Sequence, residues 1–249
     1  MKVFELEAAL FEFYNRSLAF DYDNVGLLVG DKDAEISGVV VALDCTDSAI
    51  RLAENTGANL IVTHHPVIFE GMKSVLSDST VFTLIKKGIS VISMHTNLDA
   101  AVGGVNDNLC KVIGLKNTEG LFPISDGYEI RKGELDTPLS ADEFARHLKE
   151  KLDCSVRYSC GGKEIKRVAV CGGSGSSLLY DLVSENVDGF VTAEVKHHTF
   201  YDAARAGISI FDCGHFDTED IVIEPLAEKI RSVLCKPVHT VHQSEIKVI

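Results

Sequence analysis

Three short apolar runs, Val39 to Leu43, Ala58 to Thr63 and Ile89 to Met94, constrain the fold of this chain more than any other feature. Each is short and apolar without a break, bounded by turn signals, and reads as a buried strand. Helix signals lie between them. Thr46 or Asp47 caps a helix to about Asn55 that Gly57 ends, and Ser77 or Asp78 opens one through Lys87 that Gly88 stops. Strand alternating with helix is α/β architecture. A packed amphipathic helix over residues 3 to 18 and a short strand Val25 to Gly30 precede it.

The second run ends in His64-His65-Pro66, where open α/β sheets place their ligands. Adjacent side chains on a regular strand point to opposite faces, so the pair is expected to serve two ions side by side rather than one. Pro66 holds His65 extended. The third run ends in His95-Thr96-Asn97-Leu98-Asp99, ahead of a helix over about Val105 to Ile113.

The alternation resumes later in the chain. Strand Val168 to Cys171 is followed by Gly172 to Ser177, a helix to about Asn186, strand Gly189 to Thr192, helix His198 to Ala206 and strand Ile208 to Cys213. That last strand runs into Gly214-His215-Phe216-Asp217-Thr218-Glu219. His95 and Asp99, like His215 and Glu219, stand four apart, a spacing that converges on one face of a helix. Taken singly, each residue has a structural explanation: a core histidine, a turn aspartate, a first-turn acid favoured by the helix dipole. Six such residues at three strand ends point instead to a metal centre. Mixed imidazole and carboxylate donors suit zinc, manganese or iron, and a carboxylate can bridge two cations.

Gly172 to Ser177 has the small residues of an anion-binding turn at a helix start, and equally those of a tight strand-to-helix turn. It has no P-loop lysine and no dinucleotide spacing. Thr192-Ala193-Glu194 with His197-His198 forms another polar cluster after a buried strand; Glu194 could orient a ligand or shuttle a proton, and a surface helix start is an equal reading. Pro225 lies too far inside an apolar stretch for a straight helix, so a kink or a break into two helices is expected there.

Residues 116 to 159 are rich in glycine and proline, with one capping box at Ser140-Ala141-Asp142-Glu143. They read as a bridge between lobes at about 1–115 and 160–249. In 249 residues there is room for a large core. Seven scattered cysteines without Cys-x-x-Cys spacing read mostly as small buried residues of a reduced compartment. The chain shows no secretory signal region and no run of membrane-spanning length, so a cytoplasmic protein without a membrane partner is expected. With 24 Lys and Arg against 37 Asp and Glu, the net charge of -13 disfavours a nucleic-acid partner.

Taken together, Asp23-Asn24-Val25-Gly26-Leu27-Leu28-Val29-Gly30, Thr63-His64-His65-Pro66 with Ile68-Phe69, His95 to Asp99 and Gly214 to Glu219 resemble, in order, the motifs of the dinuclear-metal proteins known as GTP cyclohydrolase 1 type 2 homologues, in their short form. The resemblance implies an α/β fold of two interlinked lobes with a dinuclear metal site between them, and a ring-shaped homohexamer. It places two divalent ions on His64, His65, Asp99, His215 and Glu219, with Glu219 bridging. It also makes His95 a neighbouring or substrate-contacting residue; His95 and Glu194 are the candidate catalytic residues. Tyr22, where the family usually has Trp, reads as a packing change, and Ala193 replaces a usual Gly.

Two divalent ions suit hydrolysis of a small anionic or nucleotide-like substrate, opening of the guanine ring of GTP among the possibilities, with phosphoester hydrolysis served by the same chemistry. The competing expectation is a non-catalytic metal-binding regulatory or scaffold protein that forms a homo-oligomeric ring.

Overall fold

A computed structural model describes residues 1–247 of the chain, which form two compact units: Met1–Ala101 with Val222–Glu245, and Val102–Ile221. In chain order the first unit begins with α1 (Val3–Phe13), a 3-10 turn at Arg16–Leu18, β1 (Gly26–Val29), β2 (Val39–Ala42), α2 (Asp47–Thr56), β3 (Leu60–Thr63), α3 (Thr80–Lys87), β4 (Ser90–Ser93) and α4 (Thr96–Ala100). Thr46 caps α2 by accepting from the Ala49 N–H, and Gly57 and Gly88 close α2 and α3 in the left-handed conformation. The cap of α3 is Ser79, later than either residue expected, because Ser79 is the one whose hydroxyl reaches a first-turn N–H, that of Phe82.

The second unit continues with α5 (Val105–Ile113), β5 (Lys116–Ile124), β6 (Gly127–Leu139), α6 (Ala141–Leu152), β7 (Arg157–Ser159), β8 (Ile165–Val170), α7 (Leu179–Leu182), β9 (Gly189–Thr192), α8 (His197–Ala206), β10 (Ser209–Asp212) and α9 (His215–Glu219). The expected helix up to Asn186 shrinks to a 3-10 turn at Ser176–Leu178 and the four residues of α7. After a 3-10 turn at Asp220–Val222 the chain re-enters the first unit with α10 (Ile223–Val233) and β11 (Val238–Val241). The break expected around Pro225 is here: Pro225 falls in the first turn of α10, where its missing N–H has no helical partner to lose.

The first sheet has the order β1-β4-β3-β2-β11, with β1 antiparallel to β4 and the other neighbours parallel. All four residues of each of β2, β3 and β4 are buried. The second sheet has the order β5-β6-β8-β9-β10-β7, with β8, β9 and β10 parallel in the middle. Its two faces separate residue by residue. Val168, Val170, Val191 and Phe211 pack with Phe144 and Leu148 of α6 on one side, while Ala169, Phe190 and Ile210 pack with Leu179, Leu182 and Ala203 on the other. Apolar on both faces, these strands show no alternation, as expected of a covered parallel sheet.

Residues 116–159, expected as a bridge, belong to the second unit. The β5–β6 hairpin extends its sheet through β8, and α6 supplies its core with Phe144, whose ring meets Phe211 edge-on at 5.0 Å. The punctuation misleads because Gly120 is a strand residue: a Cβ there would fall 2.1 Å from the ring of Tyr128 across the hairpin. Of the cysteines, Cys110, Cys154 and Cys213 are buried, Cys45 and Cys171 half-buried, and Cys160 and Cys235 exposed, so burial is less general than expected. Among the described residues no helix is long and apolar enough to cross a membrane.

Candidate metal centre

In each unit polar residues of the candidate site follow the C-terminal ends of neighbouring parallel strands, where a sheet can present side chains without interrupting its ladder. In the first unit Asp44 follows β2, His64 and His65 follow β3, and His95 follows β4; these three strands are adjacent. Past the strand ends the regular ladder breaks: the consecutive N–H groups of His64 and His65 both donate toward β2, to the Ala42 and Leu43 carbonyls, and the Met94 N–H donates to the Thr63 carbonyl. The donor atoms of His64, His65 and His95 all lie within 4.8 Å of one another, a spacing from which three imidazoles can hold a cation. The expectation that His64 and His65 diverge is corrected. Both lie beyond the last residue of β3, so strand alternation no longer governs them, and their ring centroids are 4.9 Å apart.

Every histidine of this cluster is oriented through Nδ1. His64 Nδ1 lies 2.8 Å from the Met94 carbonyl, His65 Nδ1 2.8 Å from Asp44 Oδ1, and His95 Nδ1 2.8 Å from Asp23 Oδ1. A carbonyl only accepts, so His64 carries its proton on Nδ1 and presents the Nε2 lone pair; ionised Asp44 and Asp23 impose the same tautomer on His65 and His95. Burial works against the charge on Asp23, but hydrogen bonds from His95 and Thr96 outweigh it and hold this carboxyl at about 2. Asp99, on α4, brings Oδ1 to 3.5 Å from His64 Nε2.

The second unit repeats the device. Glu194 follows β9 and accepts from His215 Nδ1 at 2.8 Å, while His215 Nε2 lies 3.0 Å from Glu219 Oε2 one turn along α9. Glu219 is buried and Glu194 exposed. With Nδ1 donating to Glu194, Nε2 of a neutral His215 faces a carboxylate oxygen lone pair to lone pair, an arrangement that needs a proton or a cation at that point. Glu194 lies ahead of α8, whose cap is Lys196, and its carboxylate contact is with the His215 ring. The left-handed residue of this turn is Glu194 at φ 53°, not Ala193, so alanine at 193 sits there without the strain that a glycine would relieve.

The Gly172 to Ser177 turn is not an open anion cradle. The Gly172 N–H donates to Asn106 Oδ1, that of Gly173 to Thr218 Oγ1, and that of Gly175 to Thr192 Oγ1. Its contribution is shape: Gly173 has φ 60°, and a Cβ on it would stand 2.0 Å from Glu219 Oε1. Sequence reasoning missed Asp23, Asp44 and Gly173 as parts of the site. Asp23 and Asp44 are short acidic residues in or beside turns, and only the fold aims them at imidazoles.

The Tyr22 ring is 67% exposed and stacks on Phe20 at 5.4 Å and 14°. A cavity of about 530 Å³ in the first unit, lined by Leu28, Val29, Ile68, Val81, Ile85 and Ile89 among others, has none of these histidines in its wall.

The profile of the Duf34/NIF3 (NGG1p interacting factor 3) family matches residues 1–247. A protein of Clostridium perfringens called GTP cyclohydrolase 1 type 2 homolog is 32% identical over 237 residues, covering 91% of this chain and 90% of its own. Its namesake in Clostridium acetobutylicum is 32% identical over 250 residues, 95% of this chain and 92% of its own. Among solved structures, a hypothetical protein of Staphylococcus aureus superposes with a TM-score of 0.92 at 30% identity, over 100% of this chain and 99% of that one. Motif, fold and overall similarity agree, and the chain belongs to the Duf34/NIF3 family.

Proposed function

We propose that the protein is a metal-dependent hydrolase in which His64, His65, Asp99, His215 and Glu219 hold two divalent cations, zinc, iron or manganese, and that it acts on a small anionic or nucleotide-like substrate. The observation that carries this reading is the approach of His215 Nε2 to Glu219 Oε2 while Glu194 holds Nδ1, repeated in kind by His64 and Asp99. Imidazole nitrogens with carboxylates behind them are the donor set and orienting shell of such ions. When bound, a pair of divalent cations supplies water activation near neutral pH and polarisation of the bond attacked.

The chain's own residues do the rest. Asp44, Asp23 and Glu194 fix the ring planes and keep a proton on Nδ1, so that Nε2 of each neutral ring is the atom left to offer a lone pair. Asp99 and Glu219 offset cationic charge. His95, held by Asp23 and less buried than His64, is placed to contact substrate or to hold and pass a proton. Opening of the guanine ring of GTP with loss of formate is one hydrolysis within this class, and phosphoester hydrolysis is another. The assembly that accompanies this reading is a homohexameric ring, which sedimentation measures directly.

The test is elemental mass spectrometry of purified wild type and Glu219→Gln, with a turnover screen on the same samples. About two ions per chain, falling sharply in Glu219→Gln with circular dichroism unchanged, and metal-dependent turnover lost in His65→Ala, are expected. Little metal after reconstitution with zinc, manganese and iron would end this reading. Full loading with no turnover across a broad hydrolase panel would leave a metal-dependent scaffold in its place.

A further inference from the structure

Next to the histidine cluster of the first unit stands a row of aromatic rings that the metal chemistry does not use. Tyr22 lies 6.4 Å from Phe69, and Phe69 meets His95 edge-on at 6.0 Å; His95 in turn lies 5.2 Å from His64 and 5.6 Å from His65. The row therefore runs from solvent into the candidate centre. Phe69 is 49% exposed and Tyr22 more so.

Exposed rings on loops are ordinary when the loops are loose. These loops are braced. Asp23 accepts from His95 Nδ1, from the Thr96 N–H at 3.0 Å and from the Thr96 hydroxyl at 2.5 Å, and the Phe20 N–H donates back to Thr96 Oγ1 at 3.1 Å. Asn24 Nδ2 donates to the Ile68 carbonyl at 2.6 Å, tying the segment that carries Tyr22 to the one that carries Phe69. Phe20 backs the Tyr22 ring almost in parallel, and so fixes its plane. The same carboxylate thus sets the orientation of His95 and the position of the exposed aromatic residue beside it.

We propose that the Tyr22 ring, with the Phe69 ring tilted by 55° against it as a side wall, forms a stacking platform for a flat heteroaromatic ring, so that the substrate of the centre is a nucleobase-like or related bicyclic compound held by its ring. This rests on the metal-dependent hydrolase reading and narrows it. Stacking suits this site because it adds affinity without a cationic side chain on a protein whose net charge is -13. Phosphate-only or aliphatic substrates have no use for the platform.

The experiment is calorimetric titration of metal-loaded protein with GMP and, as the ring-less control, ribose 5-phosphate, on wild type, Tyr22→Ala, Phe69→Ala and Tyr22→Trp. Both positions are exposed, so the fold should persist. Metal content and hydrolytic turnover are measured on every sample and report on the hydrolase reading separately from base binding. Expected are tighter binding of GMP than of ribose 5-phosphate by wild type, a loss for GMP of roughly 5- to 100-fold in each alanine variant, no change for ribose 5-phosphate, and retention of GMP binding in Tyr22→Trp. Equal binding of the two probes, binding of neither, or alanine variants that keep GMP affinity while shifting the sedimentation coefficient would overturn the platform. The last result would make it a contact between copies of the chain.

Discussion

The sharpest demand the structure makes is at Gly173. Its φ of 60° lies in the left-handed region, and a methyl group there would stand 2.0 Å from Glu219 Oε1 and 2.9 Å from His215 Nε2. Gly173→Ala therefore carries two penalties. The first is backbone strain of roughly 1–2 kcal/mol, which in a protein of this size lowers Tm by about 2–8 °C. The second is displacement of the Glu219 carboxylate by about 1.4 Å or more to reach an ordinary contact distance, several times the ±0.2 Å or so within which metal–ligand distances are held. Gly162 separates the two, because it has φ 83° in the same unit and nothing within 4 Å of a built Cβ. Gly162→Ala should show the strain alone. Gly173→Ala should show similar strain together with a loss of metal affinity of roughly 10- to 100-fold, read by competition with a chromogenic chelator, with thermal unfolding followed by circular dichroism. If Gly173→Ala binds metal as tightly as Gly162→Ala, Glu219 is not a ligand held in the conformation seen here.

Three further outcomes are expected. Asp44→Asn and Glu194→Gln each remove an anionic acceptor for an imidazole N–H, at His65 and His215 respectively, and should weaken metal binding by roughly 10- to 100-fold with Tm of the metal-free protein little changed; equal chelator competition in variant and wild type would refute the orienting role. Asp188 is disfavoured by burial but held at about 2 by Arg167, Lys163 and backbone N–H groups; since its folded pKa is below the unfolded value of about 3.9, its stabilisation is complete above about pH 4 and lost as pH falls through about 2. Asp188→Asn should then cost about 1–2 kcal/mol at neutral pH after allowance for the solvent-exposed parts of Lys163 and Arg167, with a flatter urea-stability profile between pH 4 and 2; an unchanged profile would remove the ion pairs from the account. Phe144→Ala, in a fully buried position of α6, should destabilise by roughly 3–5 kcal/mol in urea titration, whereas a change under 1 kcal/mol would mean that residues 116–159 do not share the core of the second unit.

The buried strands were legible because burial on both faces leaves a plain apolar run, and their caps because Thr46, Gly57, Gly88 and Ser140 act within a few residues of themselves. The candidate ligands His64 and His65 were legible for the same reason, standing directly after such a run, and Asp99 and Glu219 through their spacing of four from His95 and His215. The β5–β6 hairpin was not, since one of its strands is largely exposed, with the burial sequence of a surface edge, and its glycine accommodates a ring from the opposite strand rather than a turn. Asp23 and Asp44 escaped notice because their partners lie 72 and 21 residues away along the chain. A contact of that range leaves no local periodicity to read.

The second unit lies within the sequence of the first, which closes its sheet only when Val238–Val241 pairs with Val39–Ala42. During synthesis, then, β2 waits with one edge open while nearly all the intervening chain emerges, and an open apolar edge is an invitation to pair wrongly. A compact inserted unit shortens the loop that the β2–β11 pairing has to close, so whatever delays the middle of the molecule prolongs the time its beginning stands unprotected.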